Sequence, residues 1–459
     1  MSIQEPSLKG APGEVERSIT ASTAPTNSRG KVLFASLIGT TIEYYDFYIY
    51  ATAAVVVFPS LFFITSSPST ALLASLASFG VAFFARPIGG VLFGHFGDRI
   101  GRKGTLVASL LTMGLGTFAI GLIPSATTPG WEFLAPALLV LMRFAQGLGL
   151  GGEWSGAVLL ATENAPEGKR AIYGSFPQLG TAFGFIIANG LFLLLTAMLS
   201  AEAFLAWGWR IPFLASALMV IVGLWVRLSL VESTAFKKVV EEGEVAKLPL
   251  ARVFKTSWKA IIIGTFSMVS LFSLVFILST FTLSYGTTPT TAAVPGLGYD
   301  RPTFMLMIVV GAVAFAAFTL IAGPFAERFG RRRVLIVSMV LIMALGLLFV
   351  PLLSGGTPGV MTLLLVGFAL LGLSYGPMGA FQPELFPANV RYTGSALSFN
   401  ISSILGGALA PLIAVALWSV AQGSPVLVGL YLSGMCVISL IALLVSRETK
   451  DVAYNDNIS

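Results

Sequence analysis

Apolar runs as long as a bilayer is thick recur from residue 32 to residue 446, and they leave few folds open. About twenty apolar residues carry a helix across the hydrocarbon. In lipid every backbone polar group must be satisfied internally, so only helices or closed barrels span a membrane. These runs are continuous rather than alternating, which predicts helices. Only 10% of the residues are charged, where a soluble chain carries about a quarter. The expectation is an all-α membrane protein with twelve spans: 32–58, 70–93, 104–123, 133–162, 171–199, 209–230, 258–285, 303–326, 334–353, 360–383, 392–421 and 425–446.

Two internal repeats divide the twelve into halves. Gly94-His95-Phe96-Gly97-Asp98-Arg99-Ile100-Gly101-Arg102-Lys103 links the second and third spans. A variant, Gly323-Pro324-Phe325-Ala326-Glu327-Arg328-Phe329-Gly330-Arg331-Arg332-Arg333, links the eighth and ninth. Both keep a glycine, an acid, a base, a second glycine and further bases at matching positions. Glu163, Pro166 and Arg170 after the fourth span recur as Glu384, Pro387 and Arg391 after the tenth. A fixed period of this kind marks a duplicated unit. The expected organisation is a disordered cytosolic tail over 1–30, a six-helix bundle over 31–230, a charged cytosolic loop over 231–257, a second six-helix bundle over 258–446 and a cytosolic tail over 447–459. Two pseudo-symmetric bundles suit a transporter that rocks about a central site.

Charge orients the chain. Most of the 27 Lys and Arg fall in alternate segments. The opposite loops hold Arg301 alone, while Arg86, Arg143, Arg210 and Arg227 lie within spans. The positive-inside rule then puts both termini in the cytosol, and it accounts for the net charge of +6 without nucleic acid. One cysteine, Cys436, and one histidine, His95, exclude a disulfide, a thiolate cluster and a multi-histidine metal site. No nucleophile elbow or cofactor loop stands out, so neither an enzyme nor a resident cofactor is expected. Gly147-x-Gly149-x-Gly151-Gly152 sits inside an apolar span, follows no strand and reads as a face for close helix approach.

The paired turns, twelve spans and long central loop resemble the major facilitator superfamily. Ile42-Glu43-Tyr44-Tyr45-Asp46-Phe47, Arg86-Pro87-Ile88-Gly89-Gly90, Gly147-Leu148-Gly149-Leu150-Gly151-Gly152-Glu153 and Trp207-Gly208-Trp209-Arg210-Ile211-Pro212-Phe213 resemble its metabolite:proton symporter branch. That branch includes permeases for shikimate, α-ketoglutarate, citrate and proline or betaine. The resemblance runs from about Lys31 to Lys450 and implies a bacterial inner-membrane metabolite transporter.

Charges inside spans are expensive and default to function. Asp46 and Arg143 both reach the middle depth of the membrane. A carboxylate beside a guanidinium can act as a proton switch: protonating the acid frees the base to hold an anion. Their positions resemble the coupling acid and arginine of sugar:proton symporters. The other reading is a structural ion pair between the first and fourth spans. Glu43, one turn from Asp46, is placed beside Arg86 in a second, structural pair nearer the cytosolic end, with a direct substrate contact as the alternative. Glu153 is a further candidate for protonation or for packing.

Arg143, Tyr50, Gln178, Asn189, Tyr375, Gln382 and Asn400 are the candidates for substrate contact, with interhelical hydrogen bonding as the alternative. A conformational gate is expected from Arg86, Gly94, Asp98, Arg99, Gly101, Arg102, Glu163, Arg170, Glu327, Arg328, Arg331, Glu384 and Arg391. The function expected is import of a small mono- or dicarboxylate with protons by a monomeric unit embedded in lipid. A proline- or betaine-type zwitterion symporter, a proton-independent facilitator or exporter, and a non-transporting nutrient sensor are the alternatives.

Overall fold

A computed structural model of the chain describes residues 28–65, 67–100, 102–151, 153–229 and 249–452. Most of the expected tail over 1–30 and of the central loop over 231–257, and the last residues of the tail over 447–459, lie outside the described residues. What is described is helical throughout. The first half comprises α1 (Arg29–Val56), α2 (Pro68–Ile100), α3 (Arg102–Ile120), α4 (Leu134–Gly149), α5 (Glu153–Glu163), α6 (Arg170–Met198) and α7 (Arg210–Ser229). The second comprises α8 (Pro249–Phe276), α9 (Thr282–Thr287), α10 (Arg301–Phe329), α11 (Arg331–Leu347), α12 (Gly356–Glu384), α13 (Arg391–Ser402), α14 (Leu409–Val420) and α15 (Val426–Val445).

Among the described residues, eight helices are long and apolar enough to cross a bilayer, or nine when the bent pair Ala201–Gly208 and Arg210–Val226 counts as one. Three segments expected as spans miss that measure, each for a visible reason. Helix α1 is 28 residues long but carries Glu43 and Asp46 among four tyrosines. In α3 the described apolar stretch is Val107–Ile120, and the side chains of the two residues before it lie outside the described residues. Helix α11 begins on three arginines and stops after 17 residues.

Helices pair within each half. Helix α1 lies on α6, α2 on α4 and α3 on α7 in the first; α10 lies on α12, α11 on α15 and α8 on α13 and α15 in the second. The halves meet where α6 crosses α10 and α12, and where α2 meets the wide π turn Ser403–Ala408. Side chains at the outer surface, such as Leu218, Ile221, Trp225 and Leu444, are exposed and apolar, as lipid requires.

Small residues set the closest contacts. A Cβ on Gly147 would collide with the backbone of Ala82, and one on Gly151 with the backbone of Arg86 and Gly90. The glycine run is therefore the face on which α2 and the fourth span touch. Gly174 and Gly379 bring α6 and α12 into backbone contact in the same way. Backbone cannot move aside as a flexible side chain can, and overpacking costs about 1–3 kcal/mol even in forgiving cores. Gly151→Leu is thus expected to abolish a monodisperse peak in detergent size-exclusion chromatography. Gly434→Leu, at a position with nothing within 4 Å, is expected to leave the peak unchanged.

Candidate functional site

Two polar clusters lie on opposite faces of α1, one turn apart, and Phe47 stands between them. The first cluster surrounds Asp46. The Thr117 hydroxyl lies 2.9 Å from Asp46 Oδ2 and 3.0 Å from the Met113 carbonyl, either of which can take its one proton, and it accepts from Gln146 Nε2 at 2.6 Å. Gln146 Oε1 in turn accepts from Arg143 Nη1 at 3.1 Å. Arg143 Nε donates to the Phe79 carbonyl at 3.2 Å. Its guanidinium lies 4.2 Å from the ring centre of Tyr50, and Tyr50 is held by Ser78 at 2.8 Å. Among the described residues Asp46 and Arg143 form no direct ion pair. Thr117 and Gln146 connect them.

Helical spacing explains the grouping. Tyr50 stands four residues after Asp46, and Gln146 three after Arg143, so each pair shares a face. A threonine hydroxyl has one proton and two lone pairs. With Asp46 ionised, Thr117 donates to it. With Asp46 protonated, the acid donates to Thr117 and the threonine proton turns to Met113. The wiring accepts either state and reports the difference to Gln146 and Arg143.

The second cluster lines a cavity between the halves. Tyr44, Phe47 and Tyr48 of α1 and Arg86 of α2 face Phe276 of α8 and Tyr375 of α12. The cavity holds about 10 Å³, room for about one water. The Tyr44 and Tyr375 hydroxyls meet across it at 3.0 Å. Arg86 is 1% exposed, and its Nε and Nη2 find no acceptor among the described residues. Its guanidinium sits 4.9 Å from the Phe47 ring centre and 5.2 Å from that of Phe83. Arg143 lies on the same Phe47 ring at 4.7 Å, so one ring joins the two cations.

Pro87 follows Arg86 inside α2 and lacks the amide that would bond the Phe83 carbonyl, leaving that carbonyl without its helical partner beside Arg86. Arg86 shares this wall with the Tyr44–Tyr375 pair, and Glu43 precedes Tyr44 on α1. The structure thus places Arg86 in the central cavity wall, away from the gate to which its sequence position near the turn assigned it.

The other expected contacts scatter. Tyr375 lines the cavity. Gln178 sits behind it, donating to the Tyr375 carbonyl at 3.1 Å and accepting from Trp154 at 2.9 Å. Tyr50 and Arg143 belong to the Asp46 cluster instead. Asn189 accepts from Thr52 at 2.9 Å, Gln382 donates to the Gly264 carbonyl at 2.6 Å, and Asn400 donates to the Gly151 carbonyl at 2.9 Å. These three ties hold helices together outside the cavity wall. Glu153 is half-buried at the start of α5.

A third cluster fastens the halves at one end. Glu384 faces Arg170 of the first half at 3.6 Å and Arg331 at 3.4 Å, and accepts from Thr449 at 2.7 Å. Glu327 binds Arg331 at 2.9 Å and accepts the Ala171 amide of the first half at 2.6 Å. Arg170 also donates to the Val452 carbonyl at 2.8 Å. Arg391 donates to the Phe386 carbonyl at 3.4 Å, and Arg328 packs on Phe329. Glu163 closes α5 nearby. Gly94 lies within α2, while Gly101 and the side chains of Asp98, Arg99 and Arg102 lie outside the described residues.

Sequence reasoning missed Thr117, Gln146 and the aromatic wall. Gln146 had a signal, since it stands one turn from Arg143. Thr117 had none, because one threonine in an apolar span is ordinary.

The comparisons agree with this architecture. The sequence model of a family described as "Sugar (and other) transporter" matches residues 31–454. The chain is 52% identical over 428 residues to the inner membrane metabolite transport protein YhjE of Escherichia coli (strain K12), covering 93% of this chain and 96% of that protein. It is 35% identical over 428 residues to the shikimate transporter of the same organism, covering 92% and 95%. It is 31% identical over 431 residues to a proline/betaine transporter of Salmonella typhimurium, covering 91% and 83%. A crystal structure of a D-xylose-proton symporter shares the fold at 20% identity, with a TM-score of 0.70 over 92% of this chain and 98% of that one. The chain therefore belongs to the sugar (and other) transporter family and is a multi-pass membrane transporter of the major facilitator superfamily.

Proposed function

We propose that this protein is a proton-coupled symporter for a small organic acid, whose transport site is the central cavity, nearly closed here and widened as the halves rock apart. The observation that carries the reading is the buried Arg86 guanidinium in the wall of a cavity between the halves, with Nε and Nη2 lacking an acceptor among the described residues. A buried cation with idle donors is costly unless an anion completes it. A carboxylate matches the planar fork of arginine better than any neutral group. Tyr44 and Tyr375 offer hydroxyls, and Phe47, Phe83 and Phe276 offer apolar surface to the rest of the molecule.

Asp46 takes the proton in this reading. Ionised, it offsets the charge of Arg143 through Thr117 and Gln146. Protonated, it leaves Arg143 and Arg86 as two positive charges flanking Phe47, and the cavity attracts an anion more strongly. Proton and anion then favour each other's binding, and the coupling is reciprocal. The fold is completed as twelve spans in two six-helix halves, with both termini in the cytosol of a bacterium and the protein in its inner membrane. The Glu384–Arg331–Arg170 cluster is the cytosolic gate, closed here, and it opens as the halves rock. One chain is the working unit.

A second reading rests on the aromatic wall. Rings around a cavity can also hold a quaternary ammonium, so a betaine-type zwitterion would set its carboxylate on Arg86 and its cation on the rings. Thermal unfolding of the purified protein in detergent separates the two. Shikimate or α-ketoglutarate at millimolar concentration is expected to raise the unfolding midpoint by several degrees, as binding to the native state alone requires. Stabilisation by betaine, and by neither acid, would overturn the organic-acid reading in favour of the zwitterion.

A further inference from the structure

The end of the seam opposite Glu384 holds a second, larger cavity. It has a volume of about 340 Å³ and is walled from both halves. Thr196, Leu199 and Phe204 come from the first half, and Thr287, Tyr299 and Arg301 from the second. The size falls within the range of small-molecule sites, about 300–1,000 Å³.

Its chemistry is specific. Arg301 is half-buried, and its Nε has no acceptor among the described residues. The neighbouring carboxylate is already engaged: Asp300 accepts the Thr303 amide at 3.0 Å, capping α10, and this bond holds its pKa below the ordinary value. Thr196 donates to the Phe192 carbonyl at 2.8 Å and Thr287 to the Leu283 carbonyl at 2.8 Å. Both hydroxyls have spent their protons on their own helices and offer only lone pairs. The loop before Arg301 is pinned by the Leu297 and Tyr299 amides, which donate to the Tyr285 and Gly286 carbonyls at 2.9 Å. The site thus presents one cation, two hydroxyl acceptors and an apolar floor.

We propose that this cavity is a separate outer binding site for a small hydroxylated organic anion, which it captures before the central site receives it. An anionic oxygen group meets Arg301, and hydroxyls elsewhere on the ligand donate to Thr196 and Thr287. The identification of the captured anion as the transported one rests on the function proposed above. The site itself does not, because it uses none of the same residues. The shared chemistry also admits the phosphate of an anionic lipid.

The test places a thiol in the wall by Ala201→Cys in a Cys436→Ala background and follows its alkylation by an anionic and a neutral methanethiosulfonate reagent. Arg301→Gln is expected to slow the anionic reagent roughly fivefold, the effect of one nearby charge in water, and to leave the neutral reagent unchanged. Millimolar shikimate is expected to protect the thiol. Cyclohexanecarboxylate, which lacks the hydroxyls, is expected to protect it at least several-fold less. Protection must be lost in Arg301→Gln and survive Arg86→Gln, so that failure of the central reading leaves this one standing. Equal anionic labelling with and without Arg301, and no protection by shikimate, would overturn the proposal. Protection that appears with phosphatidylglycerol in nanodiscs, but not with added acid in phosphatidylcholine, would assign the cavity to a lipid headgroup and overturn the capture role.

Discussion

Arg86→Gln is expected to lower uptake of the transported acid roughly a hundredfold, the scale of a lost charge-assisted bond in a buried site. The loss comes from the removal of a guanidinium that lines the central cavity with two nitrogens lacking an acceptor among the described residues. Arg86→Lys keeps the charge without the fork and is expected to fall between. Chromatographic behaviour should stay close to wild type, because Arg86 makes no hydrogen bond through Nε or Nη2 whose loss would strand a partner. Uptake of a labelled acid at fixed pH, with the protein amount normalised, reads the effect. Near-wild-type uptake in Arg86→Gln would move the anion site elsewhere, with Arg143 the next candidate.

Asp46→Asn is expected to separate binding from driving force. Asparagine mimics the protonated acid in charge, so the anion affinity of the variant should equal that of the wild type at low pH. In the wild type, affinity falls as pH rises through the titration of Asp46, because the carboxylate restores a negative charge near the cavity. Both guanidiniums lie within 5 Å of the Phe47 ring centre. One charge at a distance on the order of 10 Å, at an effective dielectric of about 20, is worth about 1.5 kcal/mol, or roughly tenfold in affinity. The wild-type dissociation constant is therefore expected to rise roughly tenfold from acid to alkaline pH, and that of Asp46→Asn to stay flat. Equilibrium binding of a labelled acid across pH provides the check. A slope that persists in the variant would assign the titrating group elsewhere, with Glu43 and Glu153 the intramembrane acids to examine.

Much of the fold was legible because membrane helices announce themselves by length and composition. The second of the two repeated turns carries Glu327 and Arg331 to the seam, where they join Glu384 and Arg170. The glycine run found its role through spacing alone, since Gly147 and Gly151 leave one face of a helix bare. Helix-face reasoning also linked Tyr50 to Asp46. It could not say that this face looks into the Arg143 cluster while Tyr44, Phe47 and Tyr48 look into the cavity. Facing depends on how α1 rotates against its neighbours, and tertiary packing decides that. Arg86 was misplaced for a related reason. Distance along the chain assigned it to the gate beside the turn, whereas the structure sets it in the wall of the cavity between the halves. Thr117 escaped notice because its importance comes from two residues on other helices.

Proton influx into proteoliposomes, read by an interior pH dye, tests the coupled mechanism most directly. Shikimate, α-ketoglutarate, proline and betaine are added in turn to vesicles of wild type and of Asp46→Asn. The expected result is acidification triggered by an organic acid in the wild type and absent in Asp46→Asn, while the variant still exchanges the labelled acid across the membrane. Exchange of that acid by the wild type with no proton movement, or equal acidification in the variant, would contradict the account.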